Sequence, residues 1–139
     1  MLFEGISATA IVPKRGSAEA AGYDFYADEN FVILPHGKTL IKTGIRTNFG
    51  PGIVLFLKSR SGLAVKSGVY TEAGVIDSDY KGEVCVALSN NTDVEYTGSI
   101  GDRISQGVFL RLADECYPAF SASSDASVRG DSGFGSTGK

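Results

Sequence analysis

Val84-Cys85-Val86-Ala87-Leu88-Ser89-Asn90-Asn91-Thr92-Asp93 reads as a β-strand running into a turn. The large aliphatic residues Val84, Val86 and Leu88 alternate with the smaller Cys85, Ala87 and Ser89, which is the two-residue period of a strand. Two asparagines, a threonine and an aspartate then close it, because their side chains bond readily to nearby backbone. The pattern recurs along the chain. Val108, Leu110 and Leu112 alternate again, and residues 8–12, 31–34, 39–42 and 53–57 are further short apolar runs. Pro35-His36-Gly37 and Gly50-Pro51-Gly52 punctuate them as turns. With 18 glycines and few helical patterns, the chain reads as all-β, a barrel or a sandwich. One short helix is expected at residues 61–67, with Ser59 or Ser61 as its cap and Gly68 as its stop.

The 139 residues suit one domain, with 42% hydrophobic and 21% charged residues in the ordinary globular range. No apolar run approaches the roughly 20 residues that span a bilayer. The first residues lack a basic flank followed by a long apolar segment, so the expectation is a soluble intracellular chain. A net charge of −3 leaves no basic footprint for nucleic acid. A polyanionic ligand would need local arginines and a cation to be held.

The reactive residues are few. His36 is the single histidine, and Cys85 and Cys116 stand far apart with no C-x-x-C spacing. A Cys/His zinc site is therefore excluded, and His36 sits in a turn, a poor place for a nucleophile's base. Cys85, inside its alternating run, reads as a small core residue rather than a nucleophile. Any general base falls to an Asp or Glu.

Several segments have the composition of a phosphate or nucleotide site, and each has a plainer reading. Lys58-Ser59-Arg60-Ser61-Gly62 enters the short helix, whose first N–H groups favour an anion, although a capped surface helix has the same sequence. Gly133-Phe134-Gly135-Ser136-Thr137-Gly138-Lys139 matches part of a P-loop, but no strand precedes it and the quoted chain stops at the lysine. From Ala119 onward serines and glycines crowd out aliphatics, which fits a solvated tail as well as a segment that orders over a ligand. Arg129-Gly130-Asp131 is read as a chance adhesion tripeptide. Asp77 and Asp79 lie two apart beside Tyr80, and on a strand they would share a face. Asp24 follows Gly22-Tyr23, and Asp102 precedes Arg103; a solvated turn explains either alone.

Together and in order, residues 21–27, 60–64, 73–83, 101–106 and 129–138 resemble the five motifs of the dUTP pyrophosphatase (dUTPase) family. Gly74-Val75-Ile76-Asp77-Ser78-Asp79-Tyr80 and Arg129-Gly130 with Gly133-Phe134-Gly135-Ser136-Thr137-Gly138 carry the resemblance most specifically. The departures are Lys81 where arginine is common, Ser105 where alanine is common and Ser132 where glycine often sits. None of them removes a group that the chemistry requires.

The resemblance implies a jelly-roll β-barrel over residues 1–118, and an arm over 119–139 exchanged within a homotrimer and closing over a neighbouring site. It implies hydrolysis of dUTP to dUMP and pyrophosphate with Mg²⁺, supplying dUMP for dTMP synthesis and keeping uracil out of DNA. Asp77 matches the catalytic carboxylate that activates a water, and Asp24 would reach the metal through water. Arg60, Ser61, Gly62 and Gln106 would hold phosphates, with Arg129, Ser136 and Thr137 from the arm. Arg103 reads as an ion-pair partner rather than a phosphate ligand. The hairpin at 69–74 and the residues that follow (Val69, Thr71, Gly74, Val75 and Ile76) would frame uracil. Phe134 would cover the base with Gly135 beside it, and Tyr80 would pack on the deoxyribose. An apolar pocket separates a methyl group by only about 1–3 kcal/mol, whereas fixed hydrogen-bond polarity discriminates by about 10⁴ or more. Rejecting thymine and cytosine therefore asks for a rigid backbone wall. The alternatives are a dCTP deaminase on the same fold, which lacks this Asp77 context and this arm, and a binding protein on the same scaffold, either inactive or with a second regulatory role. Intact Asp77, Tyr80 and Phe134 argue against lost activity, and an additional protein partner is left open but not indicated.

Overall fold

The computed structural model describes residues 2–113, and the predicted arm lies outside them. Twelve strands and one helix follow one another: β1 (Phe3–Gly5), β2 (Lys14–Arg15), β3 (Tyr23–Tyr26), β4 (Phe31–Ile33), β5 (Lys38–Lys42), β6 (Ile45–Thr47), β7 (Ile53–Lys58), α1 (Ser61–Ser67), β8 (Val69–Glu72), β9 (Val75–Ile76), β10 (Cys85–Asn90), β11 (Tyr96–Gly98) and β12 (Arg103–Arg111). All pairings are antiparallel. One sheet runs β2-β3-β12-β7-β9, a second runs β5-β10-β8, and β1-β6 and β11-β4 form pairs. The last strand thus lies between β3 and β7, and β10 between β5 and β8, so neighbours in space are far apart in sequence. This is a jelly-roll, mostly β with one short helix.

The alternation in β10 sorts its two faces. Val84, Val86 and Leu88 are fully buried, and they meet Phe25, Ile33, Ile41, Ile45, Leu55, Leu57, Val69 and Ile104 in one core. Each fully buried aliphatic of this size contributes about 1.5–3 kcal/mol. Phe3, Tyr23, Phe25, Phe49 and Phe109 add edge-to-face and tilted ring contacts at one side.

Three local expectations are corrected. Residues 8–12 form no strand: Ser7 donates its hydroxyl to Asp28 at 2.6 Å, the chain bends, and Ile11 and Val12 are exposed. The first strands flank that stretch instead, β1 on β6 and β2 on β3. The strand expected at Val108 to Leu112 begins earlier, at Arg103, with a bulge between Arg103 and Ser105. The helix falls where the spacing predicts, but Arg60 holds the cap position, and neither Ser59 nor Ser61 makes a side-chain cap bond. Gly68 ends the helix in a left-handed conformation (φ 62°), its N–H donating to the Leu63 carbonyl.

Candidate active site

The segment from β8 through β9 builds a cavity wall. β8 ends at Glu72, and the chain then turns through Ala73 (φ 55°) and Gly74 (φ 98°) into β9. A Cβ on Gly74 would lie 2.8 Å from the Leu57 carbonyl oxygen and 2.9 Å from its Cβ, so only glycine fits that corner. The Leu57 N–H donates to the Gly74 carbonyl at 2.7 Å, pinning the corner to β7. Ile76 and Val75 pair with Leu55 and Phe56, after which the strand stops.

Asp77 and Asp79 therefore lie on a turn, not on a strand, with the Tyr80 N–H donating to the Asp77 carbonyl at 3.2 Å. The two carboxylates part company there. Asp77 lines a cavity of about 240 Å³ together with Glu72, Ala73, Gly74, Val75, Ile76, Tyr80, Glu83, Cys85 and Ala87. Asp79 does not; it faces a neighbouring groove walled by Pro51, Ile53, Phe56 and Leu112, which Asp77 also borders.

Cys85 is corrected by the same geometry. It occupies the face of β10 opposite Val84 and Val86, half-buried in the cavity wall rather than in the core. Burial, followed by the nearby Glu83 carboxylate, pushes its thiol up to about 11. It stays protonated at neutral pH, which suits a wall and not a nucleophile.

A second cluster gathers the first, second and fourth motif segments. Arg60 Nε donates to Asp24 Oδ1 at 3.1 Å, and Arg103 Nη1 lies 3.4 Å from Asp24 Oδ2. Arg60 also donates from Nη1 to the Arg103 carbonyl at 3.2 Å. Gln106 stands in register with Asp24 on β3 and with Lys58 on β7, and its Nε2 donates to the Ser59 carbonyl at 3.0 Å. Ser61 and Gly62 are exposed beside it, and nothing lies within 4 Å of a Cβ built on Gly62. Packing inside the chain therefore does not demand glycine at that position.

Hydroxyl bonds join the two clusters. The Thr71 N–H donates to Ser59 Oγ at 2.8 Å, Thr71 Oγ1 donates to Ser105 Oγ at 3.2 Å, and Ser105 Oγ donates to the Lys58 carbonyl at 3.0 Å. Thr71 is turned to this bridge and does not line the cavity, and the Val69 side chain is in the core. Gly74, Val75, Ile76, Asp77 and Tyr80 do line it. Arg129, Phe134, Gly135, Ser136 and Thr137 lie outside the described residues.

Sequence reasoning missed Glu83, Cys85 and Ala87 as wall residues. Their signal was present: with Val84, Val86 and Leu88 facing inward, the odd-numbered residues had to face something else. The bridging role of Ser59 and Ser105 had no such signal.

A glycine-cornered cavity wall bearing Asp77 and an adjacent cluster of Arg60, Arg103 and Asp24 on a jelly-roll mark out the candidate site of an enzyme. The dUTPase family profile matches residues 8–138. A deoxyuridine 5'-triphosphate nucleotidohydrolase of Eremothecium gossypii is 46% identical over 132 residues, 95% of this chain and 86% of that protein. Among solved structures, a mutant Staphylococcus bacteriophage 80alpha dUTPase with dUpNHpp superposes with a TM-score of 0.77 at 27% identity, covering 99% of this chain and 97% of that one. A mutant dUTPase from phage phi11 of S. aureus, described for the coordination of a structural Mg(II) ion, gives 0.77 at 25% identity over 88% and 95%. The chain belongs to the dUTPase family.

Proposed function

We propose that this chain hydrolyses dUTP to dUMP and pyrophosphate, with Asp77 as the general base. The observation that carries the proposal is the position of Asp77: at the end of β9, in the wall of a cavity that also holds Tyr80 and the Ala73-Gly74 corner. Water attacks the α-phosphorus, the bond from that phosphorus to the bridging oxygen breaks, pyrophosphate leaves, and Asp77 takes the proton. General-base help of this kind contributes about 10² to 10⁴ in rate. Positioning and charge neutralisation supply the rest.

The donor set fits Mg²⁺ carried by the nucleotide. No group of three or more His, Cys, Asp or Glu side chains that could hold a metal occurs among the described residues. Both oxygens of Asp24 already face guanidinium groups. Asp24 is thus suited to contact through water rather than direct ligation. When bound, the ion neutralises phosphate charge. Arg60, Ser61, Gly62 and Gln106 hold phosphates from one side, and Arg129, Ser136 and Thr137 from the arm.

The uracil lies against the Ala73-Gly74 corner, where the pinned backbone gives both a steric wall and fixed polarity. Val69 and Thr71 contribute there through backbone shape, since their side chains are engaged elsewhere. Tyr80 packs on the deoxyribose, and Phe134 with Gly135 covers the base. The assembly is a homotrimer in which residues 119–139 of one chain close the site of another, and the barrel is residues 1–118. No described helix is long and apolar enough to cross a membrane; an intracellular role supplying dUMP for dTMP synthesis and clearing dUTP follows from the reaction.

Pyrophosphate release from dUTP, dTTP, dCTP and UTP, with and without chelator, tests this. Fast, chelator-sensitive turnover of dUTP alone is expected. Equal turnover of all four would overturn the specificity, and deamination of dCTP would favour the rival.

A further inference from the structure

Tyr80 is linked through Glu83 to the turn at Gly44 by two successive hydrogen bonds. Its hydroxyl donates to the Glu83 carbonyl at 2.8 Å, closing a three-residue loop over the cavity wall. The Glu83 side chain then reaches away, and its Oε1 accepts the Gly44 N–H at 2.7 Å. Beside that bond the Val84 N–H donates to the Ile45 carbonyl at 2.8 Å, and Thr43 Oγ1 donates to the Val84 carbonyl at 2.5 Å.

The grip is on a rigid point. Gly44 is buried with φ 64°, and a Cβ there would lie 2.7 Å from both the Asp28 carboxylate and the Ser7 hydroxyl. Its carbonyl accepts the Ile6 N–H at 2.8 Å. The N–H that Glu83 grips therefore has little freedom. Residues 80–83 leave the turn at Asp77 without strand pairing until β10 begins. The Glu83 carboxylate ties that segment to the β5–β6 turn, while the Lys81 Nζ donates within the segment's own turn, to the Ser78 carbonyl at 3.2 Å.

We propose that Glu83 is a positioning residue for sugar recognition: by tying the 80–83 segment to Gly44, it fixes the Tyr80 ring where a 2′-hydroxyl would collide with it. This rests on the reading of Tyr80 as the wall against the deoxyribose. A steric wall discriminates only as well as it is held, because a ring free to withdraw admits the extra oxygen. Glu83 touches neither reacting atom nor phosphate in this account. Its loss should appear in KM and in the dUTP/UTP ratio rather than in kcat.

The test compares Glu83→Met, which keeps length but cannot accept the Gly44 N–H, with Glu83→Gln, which can. Steady-state hydrolysis of dUTP and UTP is measured with Mg²⁺, alongside thermal melts. Glu83→Met is expected to raise KM for dUTP and lower the dUTP/UTP ratio of kcat/KM, each about tenfold, with kcat for dUTP little changed. Glu83→Gln should restore the ratio. Tyr80→Phe is the second variant, since it removes the hydroxyl that anchors the ring while leaving the Gly44 contact intact; it too should lower the ratio. An unchanged ratio in folded Glu83→Met, or in Tyr80→Phe where Glu83→Met does not fold, overturns the proposal. Wild-type protein that fails to distinguish dUTP from UTP would instead overturn the underlying reading of Tyr80.

Discussion

Arg60 and Asp24 meet at 3.1 Å, Nε to Oδ1, across the join between β3 and the entry to α1. The contact ties the first motif to the second, and Arg103 at 3.4 Å from the other carboxylate oxygen adds the fourth. Both Asp24 and Arg60 are mostly shielded, at 17% and 24% side-chain exposure, so removing either charge leaves its partner poorly solvated. Asp24→Asn keeps the shape and removes the charge that both guanidinium groups face. Turnover of dUTP is expected to fall about 10- to 100-fold at limiting Mg²⁺, as for other outer-shell partners. A Mg²⁺ titration of the rate checks it; an unshifted curve would release Asp24 from any metal role.

Asp77→Asn should leave nucleotide binding close to wild type while turnover drops about 10² to 10⁴. Calorimetry with a non-hydrolysable dUTP analogue, beside a pyrophosphate assay, separates the two. Retained turnover would remove Asp77 from the base role.

Gly74→Ala forces a side chain into φ 98° and a Cβ to within 2.8 Å of the Leu57 carbonyl. Strain of this type costs about 1–3 kcal/mol, and the Leu57–Gly74 bond is the one that must yield. The expectation is a lower melting temperature together with weaker discrimination against dTTP. A melt equal to wild type would mean that the corner is not rigid.

Removing residues 128–139 deletes the proposed arm residues Arg129, Phe134, Gly135, Ser136 and Thr137 but no part of the described sheets. The far-ultraviolet circular dichroism and melt should be retained while dUTP hydrolysis slows severely. Full-speed hydrolysis by the truncated chain would end the reading of the arm as a closing segment.

Cys85 should resist alkylation until strongly alkaline pH, because its thiol lies near 11 rather than the usual 9.0. The folded state holds this proton more tightly than the unfolded state, so the protonated thiol's contribution is complete below about pH 9 and is lost as pH rises toward 11. Iodoacetamide rates on the native and urea-unfolded protein at pH 9 should differ sharply; equal rates would place Cys85 in open solvent.

What was legible in the sequence was local. The helix at Ser61–Ser67 and its end at Gly68 depend on residues within a few positions of one another. The alternation of Val84, Val86 and Leu88 announced a core-facing strand without any knowledge of its partners. The resemblance of the ordered motif segments named Asp24, Arg60, Asp77, Tyr80 and Gln106 as candidates; the fold puts Asp77 and Tyr80 on one cavity and Asp24 beside Arg60.

Tertiary structure decided what those residues touch. Residues 8–12 found no pairing partner, and the chain beside them is held instead by the Ser7–Asp28 bond, formed across 21 positions. Cys85 passed from the core to the cavity wall because the partner strands determine what each face of β10 meets. Ser59, Thr71 and Ser105 became one bridge only when β8 of one sheet was packed against the paired β7 and β12 of the other. The physical reason is range. Strand period and helix caps are written in neighbouring residues, whereas hydrogen-bond partners in a jelly-roll are chosen by sheet order, which brings segments distant in sequence within hydrogen-bond reach of each other.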